Sequence, residues 1–164
     1  MGMNTVSAVF EQAFLSVSSQ LLGIQMQKRE KYPGFSVEEP VCHVMIRTIG
    51  YIQLEITCLF PQKLVQQIVS CMHGGKKPPD EEVPLYIKEY VNIVCGRGIS
   101  DLNDQYGKAS RLSVPFYQEE IMHEDGLKEQ KEAVFENEYG AMLVVMCCSK
   151  EKQLSKEGLQ NGYN

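Results

Sequence analysis

The chain has 164 residues, 43% of them apolar and 23% charged, which fits one packed domain and excludes a disordered chain. Sixteen Lys and Arg against 21 Asp and Glu give a net charge of −5, and because the basic residues are scattered, we expect no nucleic-acid partner. No apolar run approaches the roughly 20 residues of a membrane-spanning helix, and the N-terminus has no signal-like pattern. We therefore expect a cytoplasmic protein without membrane insertion.

The first part of the chain predicts one helix and three strands. Apolar side chains recur at helical spacing over residues 4–22, and Gly23 supplies the stop. Residues 24–27 alternate between apolar and polar types and predict a short strand. Residues 41–47 and 51–60 predict two longer strands, which the short turn between them joins into a hairpin.

The second part predicts two helices and three further strands. Pro61 opens a helix that ends before Gly74, and a long helix runs from Asp80 to about Tyr106, with Gly107 as its C-cap. Strand-like patterns then cover residues 112–121, 133–139 and 141–148.

The order α-β-β-β-α-α-β-β-β predicts an α+β domain. Strands joined by short turns favour a largely antiparallel sheet of about six strands with the helices packed on it. We assign this domain to residues 1–149 and a polar C-terminal tail to residues 150–164.

The six cysteines predict buried free thiols. No C-x-x-C pair is present, most of the cysteines lie in apolar runs, and no His and Cys spacing fits a closed zinc site. We therefore predict no metal ligands in this chain.

The long helix has two contrasting sides on a wheel of about 100° per residue. The predicted core side carries Ile87, Val91, Val94, Cys95, Gly98 and Leu102. The opposite side carries Glu89, Asn92, Gly96, Ser100 and Asn103.

On this polar side, Glu89 and Asn92 are three residues apart, so their side chains project together from neighbouring turns. Gly96 leaves room for another molecule at the cost of roughly 1 kcal/mol of helix propensity. We predict Gly96, Ser100 and Asn103 as binding residues. An ordinary solvated helix face would carry residues of the same types.

The spacing of these residues resembles the CheC/CheX family of chemotaxis phosphatases. That family's signature is Asp or Ser, three residues, Glu, two residues, Asn, twenty-two residues and Pro. Glu89, Asn92 and Pro115 match it, whereas Leu85 stands in place of the Asp or Ser. The single E-x-x-N helix is similar to that of CheX, since CheC relatives usually carry two.

The resemblance implies a phosphatase that hydrolyses the phospho-aspartate of a response-regulator receiver domain. Asn92 would position the attacking water and Glu89 would pair with a lysine of the receiver, so both are predicted catalytic residues. The chain itself would need no cofactor, because the receiver carries the Mg²⁺. The resemblance also implies a homodimer that forms through the sheets.

Two other interpretations remain open at this point. A non-catalytic module of the same fold, like those of flagellar switch proteins, could bind a receiver without hydrolysing its phosphate. A purely structural domain would have no partner for the exposed helix face.

Overall fold

The computed structural model describes residues 2–31, 36–37, 40–118 and 130–148. In this part the chain forms three α-helices: α1 (Met3–Leu22), α2 (Gln62–Met72) and α3 (Val83–Tyr106). The strands are β1 (Gln27–Glu30), β2 (Pro40–Gly50), β3 (Leu54–Pro61), β4 (Ser110–Leu112), β5 (Phe116–Gln118), β6 (Gln130–Asn137) and β7 (Gly140–Cys148). A 3₁₀ turn, Asp80–Glu82, precedes α3.

The seven strands form one antiparallel sheet in the order β1-β6-β7-β3-β2-β4, in which β5 also pairs with β2. The predicted α+β class with a largely antiparallel sheet is confirmed. The predicted β2–β3 hairpin is present, with Ile46 opposite Ile56 in its register.

All three helices pack on one face of the sheet. Strand β3 alternates between buried and half-buried residues, and its buried side chains contribute to the same core as the inner faces of the helices. The other face of the sheet, here called the helix-free face, has a small apolar cluster of its own. Its members are Val37, Val134 and Leu143, with Leu59, Ala141 and Val145 packed against them.

Two strand predictions are corrected. The first strand lies at Gln27–Glu30 rather than at residues 24–27, because Ile24 is buried just after α1 and a fully exposed edge strand follows it. Such a strand carries no apolar pattern. Its pairing with β6 holds it, together with ion pairs that include Lys28 with Glu11 at 2.7 Å.

The predicted strand at residues 112–121 is interrupted. Strands β4 and β5 pair with different parts of β2, and Pro115, which has no N–H to donate to a ladder, lies between them. Residues 119–121 and the predicted tail at 150–164 lie outside the described residues.

The close approach of α1 to α3 depends on a glycine. A Cβ added to Gly98 would lie 2.5 Å from Cδ1 of Phe10, whose ring is fully buried. Nearby, Ser18 and Tyr90 share a buried hydrogen bond of 2.7 Å between their hydroxyl groups. These contacts fix the rotation of α3 about its own axis.

We predict opposite effects of alanine at the two glycines of α3. Both substitutions gain the same helix propensity, but only Gly98→Ala forces a methyl group into the Phe10 ring, whereas the nearest atom at Gly96 is 3.9 Å away. Urea unfolding should give Gly98→Ala a free energy of unfolding about 1–3 kcal/mol below that of Gly96→Ala. Equal free energies of unfolding for the two variants would mean that α1 and α3 can move apart without loss of stability.

Candidate functional site

The inner side of α3 is set by its buried residues. All six residues predicted for the core side are buried or packed inward, and the structure adds Tyr90 and Ile99 to them. Sequence reasoning missed Tyr90, because a tyrosine beside the polar Glu89 gives no sign that its hydroxyl reaches a buried serine. The helix ends as predicted, with Gly107 in the left-handed conformation at φ 64°.

The outer face of α3 carries Glu89 and Asn92. Glu89 is exposed and Asn92 is half-buried, and the helical rise separates them by about 4.5 Å along the axis. Within the described part of the chain, the Glu89 carboxylate forms no ion pair and the Asn92 amide forms no hydrogen bond. Both groups are therefore available to another molecule.

Farther along the same face, Gly96 and Ser100 leave the surface open, whereas Asn103 is engaged internally. The Asn103 side-chain N–H donates to the carbonyl oxygen of Ser110 at 3.0 Å, and its amide oxygen accepts from the Ser110 N–H at 2.9 Å. The two bonds fasten the end of α3 to the start of β4. The amide of Asn103 therefore already has hydrogen-bonding partners within the chain. Its predicted binding role stays a prediction.

The segment of residues 110–118 runs alongside α3 in the opposite direction. Leu112 lies beside Gly96, with its Cδ1 3.9 Å from where a Cβ of that glycine would be. Farther on, Tyr117 lines the same cavity as Val83, at the start of the helix. The residues between Leu112 and Tyr117 therefore pass the part of α3 that carries Glu89 and Asn92.

Val114 and Pro115 lie in the segment between Leu112 and Tyr117. Pro115, the proline of the sequence pattern, is half-buried, while Val114 is 77% exposed. On α3 itself, Leu85 is 62% exposed and lies one turn before Glu89 on the same face. Leu85 thus borders the polar pair on α3, and the exposed Val114 belongs to the segment that runs alongside the helix.

The cysteines mostly behave as core thiols. Cys42, Cys58 and Cys95 are buried, Cys147 and Cys148 are half-buried, and only Cys71 is exposed. Burial raises the pKa of Cys95 to about 12 and that of Cys58 well above its ordinary value, so both stay protonated at neutral pH.

Among the described residues, no group of three or more His, Cys, Asp or Glu side chains is arranged to hold a metal ion. The two histidines of this part have other partners: His43 bonds the side-chain oxygen of Gln118, and His73 bonds the carbonyl oxygen of Lys76. None of the described helices is long and apolar enough to cross a membrane.

A cavity of about 350 Å³ lies apart from the predicted site residues, between α2, the start of α3 and one edge of the sheet. Its lining mixes apolar and polar side chains: Val41, Gln62, Val65, Gln66, Val69, Lys77, Asp80, Val83 and Tyr117.

The fold agrees with the outcome of comparisons with known proteins. Residues 42–134 match the family described as chemotaxis phosphatase CheX. The chain therefore belongs to the CheX family, which confirms the resemblance seen in the sequence. No curated protein matches the chain.

Solved structures show the same fold at low identity. A CheC-like superfamily protein from Shewanella sp. PV-4 is 19% identical, with a TM-score of 0.73 over 91% of this chain and 99% of that one. CheX from Vibrio vulnificus is 16% identical, with a TM-score of 0.73 over 88% and 99%. A CheX–CheY–BeF₃–Mg²⁺ complex from Borrelia burgdorferi matches with 18% identity and a TM-score of 0.69 over 87% and 96%.

We predict that Asn103→Ala destabilises the fold. The substitution leaves both backbone groups of Ser110 without their partner, which should lower the free energy of unfolding by about 1–3 kcal/mol. Gln105→Ala, which removes an exposed amide two residues further along α3, is the matched control and should change stability by less than about 0.5 kcal/mol. Equal urea midpoints for the two variants would contradict a stabilising role for Asn103.

Proposed function

We propose that this protein hydrolyses the phospho-aspartate of a CheY-type receiver domain, with Asn92 positioning the attacking water. The observation that carries the proposal is the free pair on the outer face of α3. Asn92 and Glu89 have no partners in the described part of the chain, although other polar side chains of this region, such as Asn103, are engaged. Membership of the CheX family supports the same function.

The chemistry requires little from the phosphatase. The water oxygen attacks phosphorus, the bond between phosphorus and the aspartate oxygen breaks, and the carboxylate leaves with the electron pair. The products are inorganic phosphate and a free aspartate, and the water loses a proton. Because the acyl phosphate is already reactive, catalysis is a matter of positioning and charge stabilisation.

Asn92 suits the positioning role. Its amide carbonyl accepts a hydrogen bond from the water, and its NH₂ group donates to an oxygen nearby. The residue lies on a rigid helix whose rotation is fixed by packing against α1, so the backbone position that carries the amide is set before the receiver arrives. The Mg²⁺ of the reaction belongs to the receiver in this proposal, and no cofactor is assigned to this chain.

Glu89 suits a docking role. Its exposed carboxylate, one turn before Asn92, would pair with the lysine of the receiver and orient the helix toward the phosphorylation site. The complex of CheX with CheY, BeF₃ and Mg²⁺ from Borrelia burgdorferi supports a receiver as the partner. The proposal also keeps the cytoplasmic location expected from the sequence.

We expect Asn92→Ala to lower the rate of receiver dephosphorylation by roughly 100-fold or more, because one well-placed catalytic hydrogen-bonding group is lost. Affinity for a receiver held in its active state with beryllofluoride should change by no more than about 1 kcal/mol. The decay of the phosphorylated receiver with and without the protein gives the rate, and titration calorimetry gives the affinity.

Two variants complete this test. Glu89→Ala should weaken binding as well as turnover, because it removes a charged partner from the interface. Gln105→Ala removes an amide elsewhere on α3 and should leave both unchanged. If Asn92→Ala hydrolyses the phosphate as fast as the parent protein, the catalytic assignment fails. The outer face would then be a docking surface of a non-catalytic module.

We also propose that two copies of the chain pair through their sheets. The half-buried Leu59, Ala141 and Val145, which pack against the buried cluster on the helix-free face, offer a surface for such a contact. A second copy would cover it with the same surface, as a two-fold axis requires.

Light scattering at micromolar concentration should give twice the chain mass of 18.6 kDa. Val145→Lys, which puts a charge on the half-buried rim of the cluster, should give the mass of a single chain. A single-chain mass for the parent protein would contradict the dimer.

A further inference from the structure

The two most exposed large apolar side chains of the described residues lie on α3 and on the segment that runs alongside it. Val114 is 77% exposed and Leu85 is 62% exposed, whereas Phe116 and Leu21 follow at 57% and 55%. A single exposed leucine is ordinary, but Leu85 shares its helix face with the polar pair, and Val114 lies on the neighbouring segment.

Leu85 has no structural reason to be apolar. It lies in the first turn of α3, where its side chain is outside the core and where Ser or Asp would suit the helix start at least as well. The fold would therefore lose little from a polar residue here. If leucine is favoured over a polar residue at this position, the favourable contact is made with a group outside the described part of the chain.

The position of Leu85 points to the contact. It lies four residues before Glu89, on the same face, so a molecule that reaches Glu89 and Asn92 also covers Leu85. Val114 lies in the segment that runs alongside this part of α3. Leu85 therefore loses water when such a molecule docks.

We propose that Leu85 and Val114 are specificity-determining residues that select receivers with an apolar surface beside the phosphorylation site. This inference rests on the proposed function. An apolar side chain of the receiver gains from burial against the two residues. A polar or charged group at that place would lose its water without a hydrogen-bonding partner, and this loss discriminates against it.

The signature's Asp or Ser at this position would have the opposite effect. Either side chain could hydrogen-bond a polar group of the receiver, and Leu85 cannot. In this chain an apolar contact at Leu85 thus replaces a polar one, while Glu89 and Asn92 are kept. This replacement determines which receivers are selected.

The test compares two phosphorylated CheY-type receivers, one with an apolar and one with a polar surface beside the phosphorylated aspartate. For the apolar receiver, Leu85→Ser should raise KM about tenfold, or about 1.4 kcal/mol, with kcat changed by less than about twofold. For the polar receiver, KM should stay the same or fall. Val114→Ser should act in the same direction.

Leu21→Ser is the matched control, because Leu21 is a similarly exposed leucine at the end of α1. It should leave KM and kcat unchanged for both receivers. Thermal unfolding should show that Leu85→Ser keeps the parent's stability, which separates a docking effect from a folding effect.

The outcomes distinguish the two proposals. An unchanged KM for Leu85→Ser, or a fall in kcat alone, overturns the selection by Leu85 while the phosphatase activity stands. If the parent protein binds beryllofluoride-activated receivers without hydrolysing the phosphate, the proposed activity fails. In that case calorimetry replaces KM: Leu85→Ser should bind the apolar receiver more weakly than the parent protein does, and an unchanged affinity overturns the selection by Leu85. If the parent binds neither receiver, both proposals fall.

Discussion

The packing of α1 on α3, where Gly98 meets the buried ring of Phe10, decides which residues of α3 face outward. About two turns earlier on α3, Tyr90 makes a second contact with α1 through its hydrogen bond to Ser18. A shift of the helix by one residue would turn it by about 100° and move its polar pair out of place. The surface that displays Glu89 and Asn92 therefore depends on a contact on the opposite side of the same helix.

Much of the fold could be predicted from the sequence, because the long elements bury one face each. Strand β3 alternates so regularly that its buried residues follow from the pattern alone. Strand β1 could not be placed, since an exposed edge strand held by ion pairs has no apolar period. The division of the predicted strand around Pro115 depends on how β2 is shared by β4 and β5, which is a tertiary property.

The candidate site could be predicted in part. A helical wheel is sufficient to place Glu89 and Asn92 on one outward face, because both belong to a single rigid helix. The engagement of Asn103 with Ser110 depends on the path of the chain after α3, and so does the position of Val114. No local pattern encodes that path, so those features were visible only in the folded chain.

The outer face of α3 and the segment beside it are close in sequence as well as in space. The fold builds this surface from Val83–Tyr106 and the residues that follow it up to Gln118, while the sheet that supports it comes mostly from other parts of the chain. One continuous stretch thus holds the polar pair, Leu85 and Val114. Exchange of that stretch between relatives would transfer the outer face of α3 as one unit, and the scaffold would stay intact where Gly98 and Tyr90 keep their contacts with α1. In such an architecture, the outer surface of residues 83–118 can change while the rest of the fold is kept.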